Sequence, residues 1–129
     1  MKGNAMFKSF RCGAIVAVLA AGPALAAAPT GDPAAGARAF AQCRTCHVTT
    51  AGVNRIGPSL HSVIGRPVAS IAGFNYSSAL KKFGGSWTPA RLTAYLASPR
   101  TTVPGTRMAY AGLKGLQQQA DILAYLKTQ

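Results

Sequence analysis

Two cysteines three positions apart, followed directly by a histidine, stand at Cys43, Cys46 and His47. On one turn of helix, side chains three and four positions apart lie on the same face. The two thiols and the imidazole are therefore expected to face one object together. A chain with this arrangement is constrained to fold around whatever the three side chains hold.

The spacing Cys-x-x-Cys-His is typical of the covalent attachment of a c-type haem. Cys43 and Cys46 would add as thioethers to the two vinyl groups of one porphyrin, and His47 would bind the iron. A thioredoxin-like dithiol needs a strand-helix-strand pattern, which is missing here. A zinc site would have to use His61 as its fourth ligand, and a simple disulfide leaves the histidine unexplained. We interpret the motif as holding one haem c.

The remaining pattern predicts a few short helices joined by long loops. The segments 48–71 and 100–112 have no clear periodicity, and loops of that length are unusual in a small domain unless they have a function or something to pack on. A buried cofactor would supply that missing core. The predicted helices cover 33–42, 77–82, 116–127 and a segment that begins after Thr88 and stops at Pro99.

The first of these helices contains a glycine. Asp32 reads as its N-cap and Pro33 as its first residue. Gly36, inside the helix, would cost about 1 kcal/mol relative to alanine. We therefore expect that Gly36 permits the close approach of another backbone.

The N-terminus has the order of a secretory signal peptide. Three basic residues precede an apolar run over 12–22, and an Ala-Leu-Ala triplet follows over 24–26. The uninterrupted run is eleven residues long, whereas a spanning helix needs roughly 20, so an uncleaved membrane anchor is the less favoured alternative. Residues 1–26 are predicted to be the signal peptide, and 27–129 a periplasmic domain.

The charge of that domain limits its partners. Removing the three basic residues of the leader from the fourteen in the chain leaves eleven against Asp32 and Asp121, a formal charge of +9. Export argues against nucleic acid, and no RNA-binding motif is present. We expect a monomer that meets acidic protein faces or an anionic membrane surface. With two acidic residues it has no carboxylate pair for catalysis, so no enzymatic activity is predicted.

The second ligand of the haem iron is predicted by elimination. Met1 and Met6 leave with the signal peptide, so Met108 is the one thioether of the mature chain. His61 follows His47 too closely to reach the opposite face of the iron with ease. We expect Met108 as the ligand, with His61, a lysine or an empty position as alternatives.

Taken in order, these residues resemble the class I cytochromes c, particularly the mitochondrial and bacterial cytochrome c2 group. The similarity runs from Gly31 to Lys127. It rests on Gly36 with Phe40, the haem attachment motif, Gly57-Pro58-x-Leu60, Gly65-Arg66, Phe74-x-Tyr76, Trp87, Tyr95-Leu96, Pro104-Gly105-Thr106-x-Met108 and Ile122-x-x-Tyr125-Leu126.

The resemblance implies an all-α cytochrome c fold, with three main helices and one or two short ones wrapped around the haem. The first and last helices would cross at Gly36, and Pro58 would offer its carbonyl to the His47 ring. Tyr95 would bond near the Met108 sulfur. Other side chains would hold the haem propionates, namely Thr106, Arg66, Tyr76 and Trp87.

The function that the resemblance implies is one-electron transfer between redox partners. These would be a quinol-cytochrome c reductase and a terminal oxidase, or a photosynthetic reaction centre or periplasmic dehydrogenase. A haem peroxidase or gas-binding protein with a labile sixth ligand is the alternative. Leu80 and Gln42 depart from the family pattern, in place of an asparagine and a lysine. A basic rim would surround the haem edge, formed by Arg100, Arg107, Lys114, Lys81 and Lys82.

Overall fold

The computed structural model describes Gly3 and residues 27–129, and this part of the chain is helical. The predicted signal peptide therefore lies, apart from Gly3, outside the described residues. The elements are α1 (Pro33–Ala39), a 3₁₀ helix (Phe40–Gln42), α2 (Ser78–Phe83), α3 (Pro89–Ala97), α4 (Pro99–Thr102) and α5 (Leu116–Leu126). Pro67 and Ser86 form an isolated antiparallel bridge. The all-α prediction, with three main helices and short ones beside them, is confirmed.

Helices α1 and α3 begin where the sequence predicts and with the predicted caps, while α2 begins at Ser78, one residue after its predicted start, with Ser77 as its cap. The side chains of Asp32, Ser77 and Thr88 accept backbone N–H bonds from the first turns of α1, α2 and α3, at 2.8, 3.1 and 3.3 Å. Each cap satisfies a donor that has no partner within its helix. The helix predicted over 33–42 is α-helical only to Ala39, and it continues to Gln42 as a tighter 3₁₀ turn.

The sequence prediction missed α4. We expected Pro99 to stop the preceding helix and 100–112 to be loop, but Pro99 is also the first residue of a new helical turn. Proline suits that position because its fixed φ is helical and its missing N–H would have no partner there. The Thr102 hydroxyl then donates to the carbonyl of Ala94 in α3 at 2.9 Å, which ties the two helices together.

Helices α1 and α5 cross in close contact, and glycines permit it. A Cβ placed on Gly36 would collide with the backbone carbonyl of Asp121, and one on Gly31 with that of Ala120. The crossing predicted at Gly36 is confirmed, and Gly31 is a second contact point that the sequence analysis did not single out. The rings of Phe40 and Tyr125 meet beside the crossing, with 5.1 Å between centroids.

The two acidic residues of the described chain lie at this same crossing. The backbone N–H of Asp32 and the side-chain amide of Gln117 each donate to Asp121 Oδ1 at 2.8 Å. These two hydrogen bonds hold the pKa of Asp121 below its ordinary value. The Asp121 carboxylate therefore serves the helix junction, while the Asp32 carboxylate caps α1. The remaining charged side chains of residues 27–129 are all basic.

The buried core brings together side chains from the helices and from the loops between them, and Cys43 of the attachment turn packs against it. Trp87 stacks at a tilt on Tyr95, with ring centroids 5.1 Å apart. No helix within residues 27–129 is long and apolar enough to cross a membrane. The buried apolar residues are Phe40, Val63, Val68, Tyr76, Trp87, Leu92, Tyr95, Val103, Leu113, Ile122 and Leu126.

Replacing Gly36 with alanine should destabilise the protein by about 1–3 kcal/mol, because the added methyl forces two helix backbones apart. Chemical denaturation followed by circular dichroism would measure the change. Gly115→Ala is the control, since a Cβ there meets only ordinary contacts, and it should cost no more than about 1 kcal/mol. Equal effects of the two substitutions would contradict the backbone contact as the reason for Gly36.

Candidate haem site

The attachment motif forms one helical turn directly after the 3₁₀ helix. The carbonyl of Cys43 accepts the backbone N–H groups of Cys46 at 3.1 Å and His47 at 2.9 Å. Cys43 and Cys46 are not joined in a disulfide. Burial, with a smaller contribution from the neighbouring Cys46, raises the pKa of Cys43. The structure thus brings the three predicted residues together on one turn.

The His47 ring is oriented by a backbone carbonyl. Its Nδ1 lies 2.8 Å from the Pro58 oxygen, and since a carbonyl can only accept, Nδ1 carries the proton. Nε2 is then the nitrogen with a free lone pair, as a metal ligand requires. Burial lowers the pKa of His47 and the Pro58 bond opposes this, so burial favours the neutral, ligating form. The expected partnership of His47 with Pro58 is present.

A glycine also lies in close contact with this imidazole. A Cβ on Gly57 would collide with three atoms of the His47 ring. The Gly57 N–H also donates to the carbonyl of Cys46 at 2.8 Å, which ties the loop before Pro58 to the attachment turn. Gly57 belongs to the family pattern, but its contact with the imidazole could not be predicted from the sequence.

Met108 follows a tight turn that its sequence explains. The N–H of Thr106 bonds to the carbonyl of Val103 at 3.0 Å, and Gly105 has φ +89°. Proline at the second position and a positive-φ glycine at the third are the marks of a type II turn. The turn begins from the buried Val103, so the chain leaves the core, reverses and returns with Met108.

The Met108 segment is held at both ends. On one side, Thr106 Oγ1 lies 2.6 Å from the Tyr95 hydroxyl and accepts the Met108 N–H at 3.3 Å. On the other, the Tyr110 hydroxyl donates to Gln42 Oε1 at 3.2 Å. The resemblance implied separate roles for Tyr95 near the sulfur and Thr106 near a propionate. The structure pairs the two hydroxyls with each other.

Arg66 has a buried donor that the protein leaves without a partner. Its two terminal nitrogens bond to the carbonyls of His61 at 2.7 Å and Ser59 at 3.0 Å. Its Nε is the one fully buried side-chain polar atom in residues 27–129 with no hydrogen-bond partner. An unpaired buried donor is costly, and a haem propionate is an acceptor suited to it. The Tyr76 hydroxyl, by contrast, accepts the Ile71 N–H at 3.3 Å.

The alternatives to haem find less support in the arrangement of side chains. His61 is exposed and its backbone, not its ring, makes the local hydrogen bonds. Within the described chain, no three or more His, Cys, Asp or Glu side chains are gathered as metal ligands. Four features fit haem c. The cysteines of the attachment turn form no disulfide, the His47 ring is oriented by one hydrogen bond and contacted by Gly57, and Arg66 Nε has no partner.

All five basic residues predicted to form a rim are exposed, but two of them are held by hydrogen bonds to backbone carbonyls. Arg107 donates to the Asn75 carbonyl at 2.6 Å, and Lys114 donates to the Ala97 carbonyl at 2.7 Å. Lys81 and Lys82 lie in the last turn of α2, where cations are favoured by the helix dipole. Arg100 is the fifth, and it lies on α4.

Several proteins of known identity resemble this chain over most of its length. Cytochrome c2 of Rhodomicrobium vannielii is 44% identical over 100 residues, which cover 77% of this chain and 80% of that protein. Cytochrome c2 of Rhodopila globiformis is 46% identical over 102 residues, covering 78% and 96%. Cytochrome c-type cyt cy of Rhodobacter capsulatus is 47% identical, but this chain spans only 50% of its length.

The fold has a solved counterpart as well. The structure of cytochrome cH from Methylobacterium extorquens matches with a TM-score of 0.73 and 43% sequence identity, covering 77% of this chain and 100% of that one. No family model matches the sequence. The matched lengths correspond to the size of the predicted mature domain.

Proposed function

This chain belongs to the class I c-type cytochromes and carries one covalently attached haem c, and from that premise we propose that it carries electrons between a quinol-cytochrome c reductase and a terminal oxidase. When bound, haem c supplies one-electron chemistry, because its iron alternates between the ferric and ferrous states. The protein must attach the haem, supply the ligands of its iron, exclude competing ligands and recognise the redox partners.

In this proposal Cys43 and Cys46 would form the two thioethers, and His47 and Met108 would bind the haem iron. The attachment turn supports the first three assignments, since one carbonyl organises all three residues. Met108 is half-buried and packs against the same hydrophobic cluster as Cys43. A thioether ligand raises the reduction potential, which suits a carrier that accepts electrons from a quinol-cytochrome c reductase.

The observation that carries the proposal is that the protein anchors both proposed ligands, His47 through its ring and Met108 through its backbone. His47 is fixed by the Pro58 carbonyl and by Gly57. Met108 follows a type II turn whose Thr106 is tied to Tyr95 in α3. With both ligands bound, the iron would have no open position for a substrate or gas, and an unchanged ligand set would favour rapid electron transfer.

The partners are proposed to present acidic faces. The Asp121 carboxylate is used at the α1–α5 crossing and the Asp32 carboxylate caps α1, so no acid offsets the exposed cations Lys81, Lys82 and Arg100. Opposite charge accelerates encounter between proteins, and salt weakens the effect.

We also place this encounter in the periplasm, with residues 1–26 removed on export as the sequence pattern indicates. The intact mass of the exported protein tests that processing. A mass for a chain beginning at Ala27, plus one haem, is expected, whereas the mass of the full chain plus haem would support the anchored alternative.

Electron transfer from the reduced protein to oxidase-containing membranes should be fast and should slow by about tenfold between roughly 20 and 200 mM salt. Stopped-flow absorbance would measure the rate. The double substitution Lys81→Ala and Lys82→Ala should reduce both the low-salt rate and its salt dependence. Lys127→Ala removes an exposed cation beyond the end of α5 and is the control. A rate that is negligible at every salt concentration would contradict the carrier function, and a salt-independent one would contradict the acidic partner.

A further inference from the structure

The peptide group between Pro58 and Ser59 has a hydrogen bond on each side. Its carbonyl accepts from the His47 ring at 2.8 Å, and its N–H donates to Asn54 Oδ1 at 3.1 Å. A trans peptide is planar, with its C=O and N–H pointing in opposite directions. The direction of one bond therefore determines the direction of the other, so the Asn54 side chain aims the carbonyl that orients His47.

Ser59 anchors the same peptide group through its own side chain. The residue is 0% exposed. Its hydroxyl donates to the Thr50 carbonyl at 2.6 Å and accepts the His61 N–H at 3.2 Å, while its own carbonyl accepts from Arg66 at 3.0 Å. A buried hydroxyl that lost these partners would be penalised, so Ser59 has one favourable orientation.

These bonds close a loop around the imidazole. Thr50 lies three residues beyond His47, so the Ser59 hydroxyl joins the segment leaving the ligand to the segment that orients it. A parallel bond between Leu60 N–H and the Val48 carbonyl, at 2.8 Å, reinforces the join. The polypeptide between His47 and Pro58 is thereby closed into a loop at its base.

We propose that Asn54 and Ser59 are positioning residues for His47, which together fix the direction of the Pro58 carbonyl and so tune the reduction potential of the bound haem. The inference rests on the proposed ligation by His47. A well-aimed carbonyl increases the basicity of the imidazole. A more basic ligand stabilises ferric iron relative to ferrous iron, so the native network lowers the potential, and loosening it raises the potential.

The test compares Asn54→Ala and Ser59→Ala with the native holoprotein. Both substitutions should shift the reduction potential to more positive values. Both should also speed solvent exchange of the His47 ring Nδ1–H at least tenfold, as followed by NMR of the ferric protein. Ser70→Ala is the matched control, because it removes an exposed serine bond to the Pro67 carbonyl of similar length, 2.7 Å. It should change neither quantity.

Asn54 is only partly buried, so its variant keeps the test decisive if Ser59→Ala fails to fold. Exchange that rises equally at the ring and at the core amide of Ile122 would indicate general loosening and overturn the positioning role. An unchanged potential and ring exchange in Asn54→Ala would overturn it too. In the native ferric protein, His47 ring protons without a strong paramagnetic shift would refute ligation by His47, which is a failure of the proposed function and not of the network.

Discussion

Met108→Ala is expected to give a high-spin haem protein that binds carbon monoxide rapidly, with a reduction potential lowered by roughly 0.2 V. Axial ligands tune haem potentials over about 0.8 V, and loss of a soft thioether removes its preference for ferrous iron. The predicted mature chain offers no second methionine as a substitute. Visible and near-infrared spectra should show the low-spin native form and the loss of its weak sulfur-to-iron charge-transfer band in the variant.

The surroundings of Met108 should survive the substitution. Thr106 holds the segment through the Met108 backbone and through Tyr95, and neither contact needs the thioether. Leu80→Ala is the control, since Leu80 is another half-buried side chain of the same cluster. It should lose stability but keep the charge-transfer band. A native protein that is already high-spin, or a variant spectrum identical to the native one, would assign the sixth position elsewhere and favour a peroxidase or gas-binding protein.

Much of this fold could be predicted because its signals are local. The caps at Asp32 and Thr88 need only side chains within their own helix turns. The Pro-Gly pair before Met108 specifies its turn with two residues. Gly36 could be interpreted because a glycine inside a helix is costly and needs a reason. In each case the physical cause lies within a few positions of the residue that reports it.

Contacts between distant segments could not be predicted in this way. Tyr110 and Gln42 are 68 positions apart, and each alone is an ordinary polar side chain. Gly31 lies just before α1, and nothing in the neighbouring sequence indicates its role, because its contact with Ala120 exists only once α5 has docked. The short helix α4 was missed because Pro99 was interpreted only as a stop, whereas proline both ends one helix and begins another.

The candidate haem site also combines features that local sequence predicts with contacts that it does not. The attachment turn is a five-residue pattern whose chemistry requires that spacing, so its members were predicted together. The network behind His47 consists of Asn54, Ser59 and the backbone of Thr50. Serine and asparagine in a loop are usually interpreted as turn residues. Their importance comes from the burial of Ser59 and from the peptide plane that it shares with Pro58.

Replacing both Cys43 and Cys46 with alanine is expected to abolish covalent haem attachment and leave the chain largely unfolded. The α-helices of the described domain are 4 to 11 residues long, and isolated helices below about 12–15 residues are marginal in water. Side chains such as Leu60, Ile64 and Leu96 are only partly buried by the polypeptide. Contact with a porphyrin would add hydrophobic stabilisation of about 25 cal/mol per Å², so folding and haem retention should be lost together.

Haem staining of a denaturing gel and far-UV circular dichroism would measure the two losses. The double variant should show no covalent haem and less than about half of the native helical signal, since short helices depend on tertiary packing. Each single variant retains one cysteine and should keep some haem. Cys12→Ala is the control: Cys12 stands in the predicted signal peptide, so its loss should change neither quantity. A double variant with native helical content and a cooperative thermal transition would show that the buried residues from Phe40 to Leu126 form a sufficient core without the covalent link.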